Sequence, residues 1–213
     1  MKCDKRAMLL YAVTDRAWLG GKTLAEQVEC ALKGGVTCVQ LREKTLDEES
    51  FLAEALEIKK LCNKYKVPFI INDNVKIAKK CGADGVHVGQ SDMEAGNVRS
   101  IVGDDMIIGV SVHNVEEALK AVESGADYLG IGAVFSTSTK LDAGHVAKET
   151  VRAVCDAVSI PVVAIGGISK ENILELAGSG ADGVALVSAI FAAEDIEREC
   201  RELAALSERM INA

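Results

Sequence analysis

The chain has 213 residues, of which 49% are hydrophobic, and a formal net charge of −8 at pH 7. This length suits one sizeable hydrophobic core and is short for two, so a single domain over residues 1–213 is expected. The acidic balance argues against nucleic acid or an anionic membrane surface as a partner, because such surfaces attract basic patches.

Cysteine spacing and hydropathy indicate the cellular compartment. Seven cysteines are scattered without a C-x-x-C pair, and no apolar run is long enough to span a membrane. These features predict reduced thiols in a cytoplasmic protein and argue against a zinc site.

Eight short apolar runs alternate with segments of helical period. The runs are rich in β-branched residues and nearly continuous in hydrophobicity, as in parallel strands that are covered on both faces. The predicted strands are residues 9–14, 38–42, 69–72, 85–88, 106–110, 128–132, 162–165 and 184–187. Residues that favour helix N-caps stand before four of the intervening helices: Thr23, Asp47, Asn114 and Ser169.

A pattern that recurs before alternate strands indicates how the strands assemble. The tripeptide Gly-Ala-Asp begins at Gly82, Gly125 and Gly180, before strands four, six and eight, and residues 34–37 hold the matching place before strand two. Four repeats of a double strand–helix unit close naturally as an α/β fold of the (β/α)8, or TIM, barrel type. An open doubly wound sheet is the alternative, but no G-x-G-x-x-G follows the first strand.

Polar residues gather at the carboxyl ends of the predicted strands, where the active sites of such barrels lie. Strand two ends in residues 40–44, and strand alternation places Gln40, Arg42 and Lys44 on one face. This arrangement predicts a phosphate clamp. The alternative is a strand that runs out into solvent and carries charges at its exposed end. Glu43, on the other face, is expected to brace its neighbours.

Asp73 and Asp92 follow the third and fourth strands. Carboxylates from adjacent strand ends are hard oxygen ligands, which suit Mg²⁺ bound together with water and a substrate phosphate. The alternatives are that Asp73 begins a turn and that Asp92 caps a helix.

A second anion site is predicted after the last two strands. Gly166-Gly167 and Val187-Ser188 fit it, because glycine lets backbone N–H groups approach a phosphate and a helix start adds partial positive charge. A tight turn is the alternative. Residues 137–140 are predicted to form a loop that carries hydroxyl groups and one cation. This loop could close over an anion or lie in solvent.

The three histidines predict no catalytic triad, because none has a serine or cysteine at a recognisable spacing. His87 is expected to be a hydrogen-bonded residue of the barrel, His113 to lie at its mouth and His145 in a loop.

Motifs from the first strand to the last together resemble the thiamine-phosphate synthase family. They are LYAVTD at 10–15, QLREK at 40–44, IND at 71–73, GVHVGQSD at 85–92, GVS at 109–111, TSTK at 137–140, IGGI at 165–168 and VSAI at 187–190. The resemblance implies a transferase of thiamine biosynthesis. Such an enzyme couples 4-amino-2-methyl-5-(diphosphooxymethyl)pyrimidine to 4-methyl-5-(2-phosphooxyethyl)thiazole by a Mg²⁺-assisted dissociative substitution, in which pyrophosphate leaves before the thiazole nitrogen attacks.

The resemblance also assigns residues to the two small-molecule substrates. The pyrimidine diphosphate would be held by Gln40, Leu41, Arg42, Glu43, Lys44, Asn72, Ser111 and Lys140. The thiazole phosphate would be held by Thr137, Ser138, Thr139, Gly167, Val187 and Ser188. The catalytic groups would be Arg42, Lys44, Ser111 and Lys140, and the Mg²⁺ ligands Asp73 and Asp92. The sequence does not determine the oligomeric state, and a homo-oligomer is one possibility.

Three other functions compete with the synthase. A thiazole tautomerase of similar fold should not need the Arg42 and Lys44 pair or the two aspartates. A phosphate-binding barrel without catalysis would have no use for two anion sites and a metal. An isomerase of phosphorylated sugars would need a glutamate, or a cysteine with a histidine, facing the phosphate site.

Overall fold

The computed structural model describes residues 3–90, 98–136 and 145–213. Its eight strands are parallel, and they close a barrel in the order of the sequence. They are β1 (Leu10–Val13), β2 (Cys38–Leu41), β3 (Phe69–Asn72), β4 (Gly85–Val88), β5 (Ile107–Val112), β6 (Tyr128–Ile131), β7 (Val162–Ile165) and β8 (Gly183–Leu186). Because β8 pairs back with β1, with Leu10 opposite Val184, the predicted barrel is confirmed and the open sheet is excluded.

Helices cover the outside of the barrel. Those in the described ranges are α1 (Leu24–Lys33), α2 (Glu48–Tyr65), α3 (Val75–Cys81), α4 (Val98–Val102), α5 (Val115–Glu123), α6 (Lys148–Ala157), α7 (Ser188–Phe191) and α8 (Ile196–Ile211). Short 3₁₀ helices span Lys5–Met8, Arg16–Trp18 and Ile173–Leu176. Across the described residues, no helix has the length and apolar character needed to cross a membrane.

Three of the four predicted helix caps are confirmed. Each accepts a hydrogen bond from the backbone N–H three residues later, at 3.1, 2.9 and 2.9 Å for Thr23, Asp47 and Asn114. The prediction for Ser169 is wrong. Its hydroxyl bonds Glu171, and the segment that follows forms only a 3₁₀ turn headed by Asn172. The Ser169 side chain therefore bonds a residue two positions later in the sequence and does not cap a helix.

The sequence repeat corresponds to one hydrogen bond that recurs at the amino ends of the strands. Asp84, just before β4, accepts from the backbone N–H of Phe69, at the start of β3, at 2.8 Å. The equivalent bonds, each 2.9 Å long, join Asp127 to Ile108, Asp182 to Val162 and Thr37 to Leu10. One side chain thus ties each even strand to the odd strand before it, which explains why an aspartate recurs at this place.

Apolar side chains occupy two layers, one between the strands and the helices and one inside the barrel. Along β2, Val39 and Leu41 belong to the outer layer, while Cys38 belongs to the interior, as strand alternation requires. The interior has room for the ring of Tyr128 because Gly109 carries no side chain. A Cβ atom on Gly109 would lie 2.1 Å from that ring.

The predicted free thiols are confirmed. All seven cysteines are unpaired, and five of them are buried. Burial raises the pKa of the Cys62 and Cys200 thiols to about 12. These groups therefore act as small apolar side chains of the core.

Candidate functional site

The end of β1 fixes the segment of residues 40–44, which we call the clamp segment. The backbone N–H of Thr14 donates to the Gln40 carbonyl, and the Arg42 N–H donates to the Thr14 hydroxyl, both at 3.0 Å. The Arg42 guanidinium lies 3.2 Å from the Asp15 carboxylate and is only 28% exposed. These bonds disagree with the alternative of a strand end running freely into solvent.

Gln40 points into the barrel and begins a chain of hydrogen bonds. Its amide donates to the Tyr11 hydroxyl at 2.9 Å, and the hydroxyls of Tyr11 and Tyr128 are 2.7 Å apart. His87 lies 2.9 Å from the Tyr128 hydroxyl through Nδ1 and 2.9 Å from the Ser111 hydroxyl through Nε2. This interior network links two predicted substrate-binding residues, Gln40 and Ser111, that belong to different strands.

The network includes residues that are not among the predicted site residues. Neither Tyr11 nor Tyr128 is a predicted site residue, although each is an aromatic hydroxyl on the interior face of its strand. Burial raises the pKa of both tyrosines well above the ordinary value, so both keep their protons at neutral pH. The predicted hydrogen-bonded role of His87 is confirmed.

Ser111 lies deeper than its predicted place after a strand end. β5 continues to Val112, and Ser111 pairs with Gly130 of β6. The boundary prediction is therefore wrong by two residues, because pairing with β6 extends the strand beyond its most apolar part. The consequence is that the Ser111 hydroxyl is held inside the barrel mouth.

Asp73 stands at the end of β3, beside the clamp segment. The ammonium group of Lys44 lies 2.7 Å from Asp73 Oδ2, and the Asn72 amide donates to the same oxygen at 2.7 Å. Asp73 has a φ of 59°, which residues other than glycine rarely adopt. Its carbonyl also accepts from Val75 N–H at 3.1 Å, so the residue both begins a turn and presents a carboxylate at the mouth.

The Asp73 carboxylate fits a Mg²⁺ ligand. It is a hard oxygen donor, 41% exposed and already held in place by two donors. Asp92, the second predicted ligand, lies outside the described residues. In the parts of the chain that the structure describes, no group of three or more acidic, histidine or cysteine side chains could hold a metal. Mg²⁺ does not require one, because water and substrate phosphate complete its shell.

The predicted second anion site lies at the ends of β7 and β8, which are neighbours in the barrel. Gly166 and Gly167 have φ values of 103° and 63°. A Cβ atom on Gly167 would lie 2.3 Å from the Ser136 carbonyl oxygen, so the loops after β6 and β7 are in close contact. Val187 follows β8, and Ser188 begins α7. The remaining predicted members, Thr137, Ser138, Thr139 and Lys140, lie outside the described residues.

Two predicted substrate-binding side chains point away from the mouth. Leu41 is fully buried in the layer between the strands and the helices, so only its main chain could face a substrate. The Glu43 carboxylate is 2% exposed and lies 2.8 Å from Arg16 Nε, in agreement with the predicted bracing role. His113 bonds Glu117 at 2.9 Å and is exposed.

Comparisons with known proteins identify relatives along most of the chain. A model of the family described as thiamine monophosphate synthase matches residues 10–190. The thiamine-phosphate synthases of Ruminiclostridium cellulolyticum and Clostridium botulinum are each 52% identical over 194 residues. They cover 91% of this chain and 92% and 91% of their own lengths. A solved thiamine phosphate pyrophosphorylase from Pyrococcus furiosus is similar with a TM-score of 0.88 and 38% identity, covering 97% of this chain and 98% of that one.

These findings confirm the resemblance and the enzyme class that it implied. The family match extends from β1 to α7, which is the range that contains the motifs. The relatives are transferases that make thiamine phosphate, so the prediction of a thiamine-phosphate synthase is confirmed and the competing functions lose support. The chain belongs to the thiamine monophosphate synthase family.

Proposed function

We propose that the mouth of this barrel couples the pyrimidine diphosphate to the thiazole phosphate with the residues described above. The polar ends of β2, β3 and β5 hold the first substrate, and the loops after β6, β7 and β8 hold the second. The observation that carries the proposal is the convergence of Arg42, Lys44, Asn72 and Asp73 at adjacent strand ends.

Arg42 and Lys44 supply positive charge to the departing diphosphate. The carboxylates of Asp15 and Asp73 hold the two cations at the mouth. Negative charge on the leaving group grows as its carbon–oxygen bond breaks, so cations fixed there stabilise the transition state more than the ground state. Lys140, which follows β6 in the sequence, is the proposed third cation.

Gln40 and Ser111 orient the pyrimidine. The interior network holds the Gln40 amide through Tyr11 and the Ser111 hydroxyl through His87. Polar groups that are fixed in this way offer directional hydrogen bonds to a flat nitrogen ring. The thiazole nitrogen attacks with its own lone pair, so the reaction asks no general base of His87.

Asp73, together with Asp92, would hold Mg²⁺. The ion would supply additional positive charge to the diphosphate when bound. Asn72 and Lys44 fix the Asp73 carboxylate before any ligand arrives. We propose that Gly167, Val187 and Ser188, with Thr137, Ser138 and Thr139, hold the thiazole phosphate through backbone N–H and hydroxyl groups. A cytoplasmic location, a single domain over residues 1–213 and a homo-oligomer stay predictions.

The test is a direct assay of the purified protein. With both substrates and Mg²⁺, it should release pyrophosphate and form an equal amount of thiamine phosphate. Omission of either substrate should abolish both products. A folded protein that consumes neither substrate would overturn the proposal, and isomerisation of the thiazole phosphate alone would favour the tautomerase.

A further inference from the structure

A charge cluster lies behind the clamp segment, outside the proposed substrate site. It consists of Arg16 from the 3₁₀ helix after β1, Glu43 from the clamp segment and Glu54 from α2. Arg16 Nε is 2.8 Å from Glu43 Oε1, and an Arg16 terminal nitrogen is 2.5 Å from Glu54 Oε1. The carboxylates are only 2% and 15% exposed. Three separate segments of the chain therefore meet at one guanidinium.

The cluster holds two carboxyl groups and one guanidinium, so its charges do not balance. Burial, with hydrogen bonding and repulsion from Glu43, raises the pKa of Glu54 to about 7. Glu54 Oε2 is buried, and in the described part of the chain it has no hydrogen-bond partner. A proton on Glu54 removes the unmatched negative charge and lets the two carboxyl groups share a hydrogen bond.

The same cluster is joined to the cations of the clamp. Asp15 and Arg16 are adjacent in sequence, and they pair with Arg42 and Glu43, which are also adjacent. Asp15 therefore pairs with Arg42, and Arg16 pairs with Glu43. Glu43 stands between Arg42 and Lys44, so a displacement of Glu43 would move both cations.

We propose that Arg16 and Glu54 are positioning residues that fix the clamp segment through Glu43, and that the protonated form of Glu54 holds the clamp in place. The inference rests on the proposed roles of Arg42 and Lys44. As the pH rises through about 7, Glu54 loses its proton, and two carboxylates then oppose each other at one guanidinium. The hold on the clamp is therefore present at lower pH and weakens above that point.

Of the other charged residues of α2, Glu48, Lys59 and Lys64 are in separate ion pairs. These pairs are Lys59 with Asp84, Lys64 with Glu29, and Glu48 with Lys76 and Lys80. Glu49, Glu57 and Lys60 are exposed to solvent. Among the described residues, Glu43 and Arg16 are the charged groups that shift the pKa of Glu54. The proposed pH dependence thus belongs to this cluster.

The test compares kinetics from about pH 6 to 9 for the wild-type protein, Glu54→Gln and Glu57→Gln. In the wild type, we expect KM for the pyrimidine diphosphate to rise about fivefold across this range, with kcat changing less. Glu54→Gln should lose most of that rise, because an amide donates to Glu43 at every pH. Glu57 is an exposed residue of the same helix, so its variant should follow the wild type. Any change in KM that comes from ionisation of the substrate itself should be the same for all three proteins.

Arg16 and Arg42 variants separate the possible failures. Arg16→Ala should raise the same KM about tenfold, and Arg16→Lys should recover part of the loss. If the pH profile of KM for Glu54→Gln superposes on that of the wild type, the inference is overturned. It is also overturned if the variants change in Tm and not in KM. If Arg42→Ala keeps wild-type kinetics, the proposed clamp is wrong and this inference falls with it. If Arg42→Ala is impaired while Glu54→Gln follows the wild type, only the positioning role is wrong.

Discussion

Lys44 Nζ lies 2.7 Å from Asp73 Oδ2, so a predicted diphosphate-binding cation contacts a predicted metal ligand across the ends of β2 and β3. The two side chains are 53% and 41% exposed, and such a pair adds about 0 to 1 kcal/mol to stability. The fold therefore depends little on this contact. A bound diphosphate and Mg²⁺ can separate the two groups at small cost.

Removal of the Asp73 charge should impair the reaction without unfolding the protein. In Asp73→Asn we expect kcat to fall about 100-fold and the Mg²⁺ requirement to shift to higher concentration, because a hard anionic ligand is lost. Activity against Mg²⁺ concentration measures this. Asp105→Asn, an exposed acid just before β5, is the matched control and should behave as the wild type. Equal Mg²⁺ curves for both variants would argue against the metal role of Asp73.

Arg42→Ala should raise the activation barrier by about 2 to 4 kcal/mol, because a cation aimed at the leaving group is lost. Turnover measures the effect, and thermal unfolding should show little change, because Asp15 is the one ion-pair partner of Arg42 among the residues that the structure describes. Arg152→Ala removes a 70% exposed arginine of α6 and serves as the control. An unfolded Arg42→Ala protein would instead indicate a structural residue.

Strand alternation predicted which side chains of β2 face the interior and which face the helices. The four amino-end repeats predicted closure, and three caps followed from their local residues. Contacts across the barrel did not follow, because they depend on which strands become neighbours and on their register. Tyr11 and Tyr128 are 117 residues apart, yet closure brings their hydroxyls to 2.7 Å.

The clamp segment shows the same limit. Its cations were visible in the motif, and so was the bracing role of Glu43. The partner that Glu43 braces against was not, because Arg16 reads as a loop residue and Glu54 as one acid of a long amphipathic helix. The fold brings them together where α2 and the clamp segment meet the 3₁₀ helix after β1.

The interior network gives a prediction about stability as well as binding. Tyr128→Phe removes the hydroxyl that contacts Tyr11 and His87, so each of these residues loses one hydrogen bond inside the barrel. We expect a loss of about 1 to 3 kcal/mol in unfolding free energy. KM for the pyrimidine diphosphate should also rise, because Gln40 and Ser111 are held through these two residues.

Urea unfolding and steady-state kinetics measure both effects of Tyr128→Phe. Tyr65→Phe is the control, since its hydroxyl bonds Glu29 outside the barrel at 3.1 Å. Loss of stability with an unchanged KM would mean that the network supports the fold without orienting the substrate.

The contact between the loops after β6 and β7 gives a last prediction, for Gly167→Ala, and Gly178→Ala is its control. Gly167 and Gly178 have similar backbone conformations, with φ values of 63° and 73°, so alanine is strained at both. A Cβ atom at Gly178 meets nothing within 4 Å, whereas one at Gly167 meets the Ser136 carbonyl oxygen at 2.3 Å. Gly178→Ala should therefore cost about 1 kcal/mol of stability and leave the kinetics intact. Gly167→Ala should cost more and raise KM for the thiazole phosphate about tenfold, because the loop that is proposed to bind the phosphate must shift to relieve the clash with Ser136. Equal effects of the two variants on stability and KM would mean that backbone strain alone, and not the close approach of the loops, explains the glycine at position 167.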